Sequence, residues 1–247
     1  MNAPARTILR LAGKDTRDFL QGLITNDISG VDSGLVYAAI LTPQGKYMAD
    51  FFLSAKDDAV LLDADTAQAD MLVQRLSMYK LRADVTIKKT DLYVHRGTGA
   101  IPQDAMADPR HDALGWRAYR ETLQTDDSTD WTALHVTHMI PSSGVELTPD
   151  SFILEMGFER LNGVDFRKGC YVGQEVTARM KHKTELRKGL ALVAVQGSAH
   201  TGAAILSGEK PAGTLLSRSG DQALAYLRYD RATGEMTAQD ATVTRLA

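Results

Sequence analysis

The only cysteine of this 247-residue sequence lies in the stretch Lys168-Gly169-Cys170-Tyr171-Val172-Gly173-Gln174-Glu175. A thiol set among glycines, with a lysine two positions before it, has the surroundings of a reactive or ligand-binding sulfur. Gly169 and Gly173 permit tight backbone geometry and close approach of a ligand. Lys168 would lower the thiol pKa, and a helix starting just after Cys170 would favour the thiolate through its N-terminal dipole. The competing reading is a small buried hydrophobe, a common state for free cysteine. Gln174 and Glu175 add an amide and a carboxylate. Such a pair suits the donor and acceptor edge of a pterin-like heterocycle, or else forms a solvated helix face.

A basic run follows: Arg179, Lys181, Lys183, Arg187 and Lys188, with His182 among them and Glu185 opposing. It reads as solvated surface or as a rim that attracts an anion, either a carboxylate tail or RNA phosphate. His135 and His138 are three apart and share a helix face. No acidic or sulfur ligand is near them in sequence, so a structural role is favoured and no metal site is expected. Asp50 follows a Gly45-Lys46 turn and is flanked by Phe51 and Phe52. A carboxylate there is either a partly desolvated acid, base or ligand-binding group, or an outward-facing polar residue. There is no phosphate-binding glycine loop, dinucleotide fingerprint, paired-cysteine zinc spacing or nucleophile elbow.

The elements that must position these residues follow from periodicity. Thr7–Leu11, Val36–Leu41, Tyr47–Leu53, Ala59–Leu62, Val85–Ile87, Leu92–His95 and Leu114–Tyr119 read as strands. Phe19, Leu20, Leu23 and Ile24 recur at helical spacing after Asp15 and Thr16, which are good caps. Asp65 caps a helix with the apolar face Ala69, Leu72, Val73 and Leu76. Thr42-Pro43-Gln44-Gly45 is a hairpin turn. Residues 97–112 read as a loop, and a polar turn from Asp126 to Asp130 starts a helix that ends before Pro141. Phe152–Leu161 is a short helix or turn, and Val172–Met180 is helix-like. Beyond Lys188, short apolar segments punctuated by glycines predict a small β-barrel or sandwich. Hairpins mixed with helices favour an α+β fold over a parallel sheet. The expected organisation is residues 1–187 as an α+β region of two subdomains and 188–247 as a C-terminal β-barrel.

A hydrophobic content of 44% is enough to bury a core without staples, and one cysteine excludes an internal disulfide. A net charge of −3 argues against a dedicated nucleic-acid binder. Residues 1–6 lack the apolar stretch of a signal peptide, and the longest apolar runs are too short to cross a bilayer. These features predict a soluble, cytoplasmic protein with no membrane partner.

The stretch Lys168–Glu175 resembles the signature of the YgfZ/Iba57 family, Lys-Gly-Cys-aromatic-x-Gly-Gln-Glu, at every fixed position. Phe19-Leu20-Gln21-Gly22 with Thr25-Asn26-Asp27, Gly45-Lys46, Tyr79-Lys80, Ala212-Gly213 and Leu224-Ala225-Tyr226-Leu227-Arg228 resemble further family landmarks in order. The resemblance implies the fold of the glycine-cleavage T-protein: α+β folate-binding subdomains followed by a small barrel. It implies tetrahydrofolate as ligand and a role in assembly or repair of iron–sulfur enzymes, with those proteins or their assembly factors as partners. Cys170 is then the functional centre, as acceptor of a one-carbon or sulfur-linked group or as transient iron ligand. Lys168, Gly169, Tyr171, Gly173, Gln174, Glu175 and Arg179 are expected to bind or position the ligand, and Asp50 to serve as acid or base. The alternative is a tetrahydrofolate-dependent aminomethyltransferase. Two departures bear on it. Ala49-Asp50 stands where those enzymes carry paired aspartates. His135-Val136-Thr137-His138-Met139-Ile140-Pro141 stands where the family has Arg-Ile-x-x-Gly-Ile-Pro.

Overall fold

A computed structural model describes residues 5–125, 127–183 and 185–247. Residues 1–4 and Asp126, the head of the expected polar turn, lie outside the described residues, as does the side chain of Lys183. The chain forms two compact units that are not contiguous in sequence. One contains the residues up to Thr129 together with Glu159–Val176; the other contains Asp130–Phe158 with Thr177–Ala247.

The first unit is built on an antiparallel five-stranded sheet. Its strands are β1 (Arg6–Ala12), β2 (Val36–Leu41), β3 (Tyr47–Lys56), β4 (Ala59–Asp65) and β5 (Thr86–Lys89), in the order β2-β3-β4-β1-β5. Two helices accompany it, α1 (Thr16–Gln21) and α2 (Thr66–Lys80). Asp65 caps α2 as expected, its Oδ1 accepting from the Ala67 amide at 2.8 Å. Strand alternation sends Ala38, Ile40, Ala49, Phe51 and Leu53 into one core with Leu20, Ile24, Leu72 and Leu76. β2 is buried at all six positions, so the other face of the sheet is covered as well. A second sheet comprises β6 (Tyr93–Gly97), β7 (Met106–Ala107) and β8 (Trp116–Arg120) in the order β6-β8-β7. The two-residue β7 falls inside the segment expected to be all loop, being too short for alternation to betray it.

Aspartates and arginines, not apolar side chains alone, line that other face. Asp63 on β4 accepts from Arg6 Nε at 2.6 Å and from Arg117 Nη1 of β8 at 3.0 Å. Asp108 takes both Arg110 (3.0 and 2.8 Å) and Arg117 (3.3 Å). The guanidiniums of Arg117 and Arg110 lie over the Phe52 ring, 4.0 and 4.7 Å from its centre. Burial pushes the Asp108 carboxyl up, but Arg110 and Arg117 outweigh it and hold the group well below the usual carboxylate range.

In the second unit α3 (Trp131–Thr137) is capped by Asp130, which accepts from Ala133 N at 2.9 Å. The stretch Phe152–Leu161, expected as a short helix or turn, is a succession of turns. Helix α4 (Gln174–Lys183) carries the chain from the first unit into the second. A closed barrel follows, of β9 (Lys188–Gln196), β10 (Ala204–Ser207), β11 (Lys210–Ser219), β12 (Gln222–Arg228), β13 (Glu235–Ala238) and β14 (Ala241–Arg245), ordered β10-β11-β12-β9-β14-β13. Ala191, Val193, Val195, Ala223, Ala225 and Val243 are in its core, where small side chains fit a narrow interior. Residues 130–158 join this unit through two buried glutamates. Glu146 accepts from Ser217 N at 3.0 Å, and Glu155 from the Tyr226 hydroxyl at 2.6 Å. Met139, where the resembled family has glycine, keeps the left-handed backbone at φ 50°.

Candidate functional site

The segment that carries Cys170 is held by the loop after α1. Thr25 Oγ1 donates to Gly163 O at 2.7 Å and accepts from Ala39 N at 2.8 Å, so one hydroxyl ties the segment to β2. The Asp165 amide donates to Thr25 O at 3.0 Å. Asn26 Nδ2 donates to Asn162 O at 2.7 Å and to Tyr37 O at 2.9 Å. Gln21 accepts from the Ile28 amide at 2.9 Å and so closes the loop on itself. These polar residues are the cradle of the motif, a role that their types and spacing alone do not reveal.

Lys168 is turned inward. Its ammonium donates to Gln21 O and to Ile24 O, each at 2.6 Å, and lies 5.0 Å from the centre of the Tyr171 ring. This corrects the expectation that Lys168 attends the thiol; it attends the carbonyl end of α1 instead. Burial pulls its pKa down to about 8, against the pull of Asp27 and Asp165, so it stays charged at neutral pH. Lys168 and Tyr171 are buried, whereas Gly169 and Cys170 between them are exposed. The thiol is therefore at the surface and not packed as a hydrophobe. Helix α4 begins at Gln174, four residues past Cys170, so the thiol is not at its N-cap as expected.

Of the two motif glycines only Gly173 is demanded by the chain's own packing. Its φ is +84°, and a Cβ there would stand 2.6 Å from Thr42 O and 3.0 Å from Leu41 Cβ. Gly45, in the β2–β3 turn, faces it: a Cβ at Gly45, whose φ is +74°, would meet Val176 Cβ at 2.8 Å and Gly173 O at 3.4 Å. The turn itself is closed by Gly45 N to Thr42 O and Thr42 N to Lys46 O, both 2.8 Å. Hairpin and motif thus lock glycine to glycine, which sets the start of α4. A Cβ at Gly169 would meet nothing within 4 Å. Gln174 is half-buried, and Glu175 and Arg179 are exposed.

Asp50 belongs to a different constellation. It is buried on β3 and accepts from Tyr47 at 2.6 Å and Tyr37 at 3.0 Å. Burial first, then the adjacent Asp50 charge, push the Tyr37 phenol well above its ordinary pKa, so it remains a donor. Ala49 points into the opposite core. His135 Nδ1 lies 3.3 Å from Ser142 Oγ, and no metal-holding cluster of three or more His, Cys, Asp or Glu occurs among the described residues.

One candidate escaped the sequence reading. Glu155 is buried and borders a cavity of about 260 Å³ in the barrel-containing unit, lined also by Met180, Glu185, Leu186, Arg187, Lys188 and Arg228. Lys188 Nζ is 3.9 Å from Glu155 Oε1, and burial with the Glu155 bond raises the Tyr226 pKa. A carboxylate inside the apolar run Phe152-Ile153-Leu154-Glu155-Met156 was the available signal. The cavity gathers Arg187 and Lys188 from the basic run.

Comparison with known proteins accords with this geometry. Residues 187–246 match the family model described as the CAF17 C-terminal beta-barrel domain. The iron-sulfur cluster assembly factor IBA57 homolog, mitochondrial, of Mycosarcoma maydis is 32% identical over 218 residues, covering 75% of this chain and 54% of that protein. The mitochondrial IBA57 proteins of Mus musculus and Homo sapiens are 31% and 29% identical, covering 78% and 87% of this chain and 65% and 70% of theirs. The chain thus spans about half to two thirds of the length of most of these relatives. The structure of the glycine cleavage system aminomethyltransferase T from Bartonella henselae superposes with a TM-score of 0.74 at 11% identity, covering 98% of this chain and 83% of that one. It establishes the shared fold. The relatives' names are mitochondrial, which overturns the expectation of a cytoplasmic protein. No helix among the described residues is long and apolar enough to cross a membrane. In its motif, its T-protein-like fold and these relatives, the chain is similar to the YgfZ/Iba57 family.

Proposed function

We propose that this protein is a tetrahydrofolate-dependent accessory factor for assembly or repair of iron–sulfur enzymes, acting through Cys170. The observation that carries the reading is the presentation of that thiol: exposed, with buried Lys168 and Tyr171 on either side. An exposed sulfur suits a group that must meet a protein client or assembly factor. The partners are accordingly iron–sulfur proteins, as the relatives' names suggest.

The residues around Glu155 fit a folate. A pterin edge presents N–H donors, and Glu155 is a buried carboxylate that can accept them. Arg187, Lys188 and Arg228 border the same cavity and suit an anionic tail. Its volume is below the roughly 300 Å³ at which whole small-molecule sites begin, so it takes part of the ligand and leaves the tail at the basic rim. Tetrahydrofolate, when bound, supplies a carrier for one-carbon units. Glu155 would orient it, held in turn by the Tyr226 hydroxyl. Asp50, fixed by two phenols, is the acid–base candidate. Aminomethyl transfer gains no separate support, because Ala49 offers no second carboxylate.

The test is complementation. In cells lacking the protein, Cys170→Ser should accumulate normally and leave iron–sulfur enzyme activity low. Full restoration by Cys170→Ser would refute the proposal.

A further inference from the structure

We infer that Lys168 is the positioning residue of Cys170: its ammonium pins the motif to the carbonyl end of α1 and so fixes an arch with the thiol at its tip. The inference rests on reading Cys170 as the working group. It assigns Lys168 an inward, mechanical role in place of contact with ligand or thiol.

The arch is four residues long. Its feet, Lys168 and Tyr171, are buried, and its tip, Gly169-Cys170, is exposed. The lysine foot reaches Gln21 O, at the last residue of α1, and Ile24 O just beyond. Carbonyls at a helix C-terminus lack intrahelical donors and carry the negative end of the dipole, so an ammonium satisfies both deficits. Two charge-assisted bonds of 2.6 Å offset the desolvation of the charge. The same ammonium faces the ring of the other foot at 5.0 Å, which ties the two together. Upstream, the chain is fixed at Gly163 and Asp165 by Thr25; downstream it is fixed at Gly173 by the hairpin turn. Lys168 supplies the anchor two positions before the thiol. Without it that foot of the arch is released, and Cys170 loses a defined position.

Two measurements on the purified full chain test this. The first needs no substitution: lysine acylation with a small active ester, read by mass spectrometry. Lys168 should react at least about tenfold more slowly than exposed Lys210, the factor that one hydrogen bond to a charged group is worth. Equal rates would overturn the anchor. The second places a nitroxide label on Cys170, the sole thiol. Its spectrum should show restrained motion in the parent and severalfold faster motion in Lys168→Met, with restraint largely recovered in Lys168→Arg. A label as restrained in Lys168→Met as in the parent would overturn the inference. Should Lys168→Met fail to fold, the acylation result decides. The two readings fail separately. If Cys170→Ser restores iron–sulfur enzyme activity, the thiol loses its role and the anchor stands; an unprotected Lys168 removes the anchor whatever the thiol does.

Discussion

Replacing each motif glycine by alanine should give opposite outcomes, and the structure sets both magnitudes. At Gly173 the backbone is left-handed, which costs an L residue about 1–2 kcal/mol. The new methyl would also stand 2.6 Å from Thr42 O, 3.0 Å from Leu41 Cβ and 3.2 Å from Gly45 Cα. Two of those atoms are backbone in a turn closed by two 2.8 Å hydrogen bonds, so relief by local motion is small. Overpacking of that kind costs a further ~1–3 kcal/mol. Gly173→Ala should therefore destabilise the protein by about 2–5 kcal/mol in sum. At Gly169 a methyl meets nothing within 4 Å and the backbone is not left-handed. Gly169→Ala should lie between no change and a gain of about 0.4–1 kcal/mol, through a less flexible unfolded chain. Urea unfolding followed by far-ultraviolet circular dichroism measures both, the midpoint shift being read at constant slope. A Gly173→Ala protein as stable as the parent, or a Gly169→Ala protein equally damaged, would refute the proposed lock between hairpin and motif.

Other consequences can be measured on the same material. Asp63→Ala leaves the Arg6 and Arg117 guanidiniums buried beside a missing partner and should cost about 3–5 kcal/mol in urea unfolding; a loss under 1 kcal/mol would contradict the pairing. Asp108 is held below its unfolded pKa, so its contribution is complete above about pH 4 and disappears as pH falls through its own lowered value. Acid titration of stability should accordingly flatten in Asp108→Asn, and an unchanged acid limb would count against this. Glu155→Gln should weaken tetrahydrofolate binding by about tenfold or more, as expected for one lost charged hydrogen bond. Quenching of Trp116 and Trp131 fluorescence would follow it, and an unaltered titration would exclude the cavity as the folate site.

Much of the fold was legible in the sequence because its signals are local. The Thr42–Gly45 turn, the Asp65 cap, the polar turn that leads into the helix after Asp130 and the glycine-punctuated strands of the barrel each rest on residues within a few positions of one another. The motif and its cysteine were legible for the same reason. What could not be read was set by contacts distant along the chain. Lys168 reads as a neighbour of the thiol, yet it is buried against carbonyls 144 and 147 residues away. Arg117 and Asp63 carry no local signal in the sequence, yet they pair across 54 residues on a covered sheet face. Thr25 and Asn26 stand out in the sequence only as landmarks of a resemblance; the segment at 162–165 rests on them through contacts spanning 138 and 136 residues. Glu155 interrupts an apolar run, but its partner Tyr226 is 71 residues on.

The most direct measurement is native thiol labelling. With Ellman's reagent at neutral pH, in the absence of denaturant, one thiol per chain should react, at a rate unchanged in kind when urea is added. A thiol that stays silent until the protein is unfolded would contradict the account, because Cys170 would then not be the presented group on which the proposed function depends.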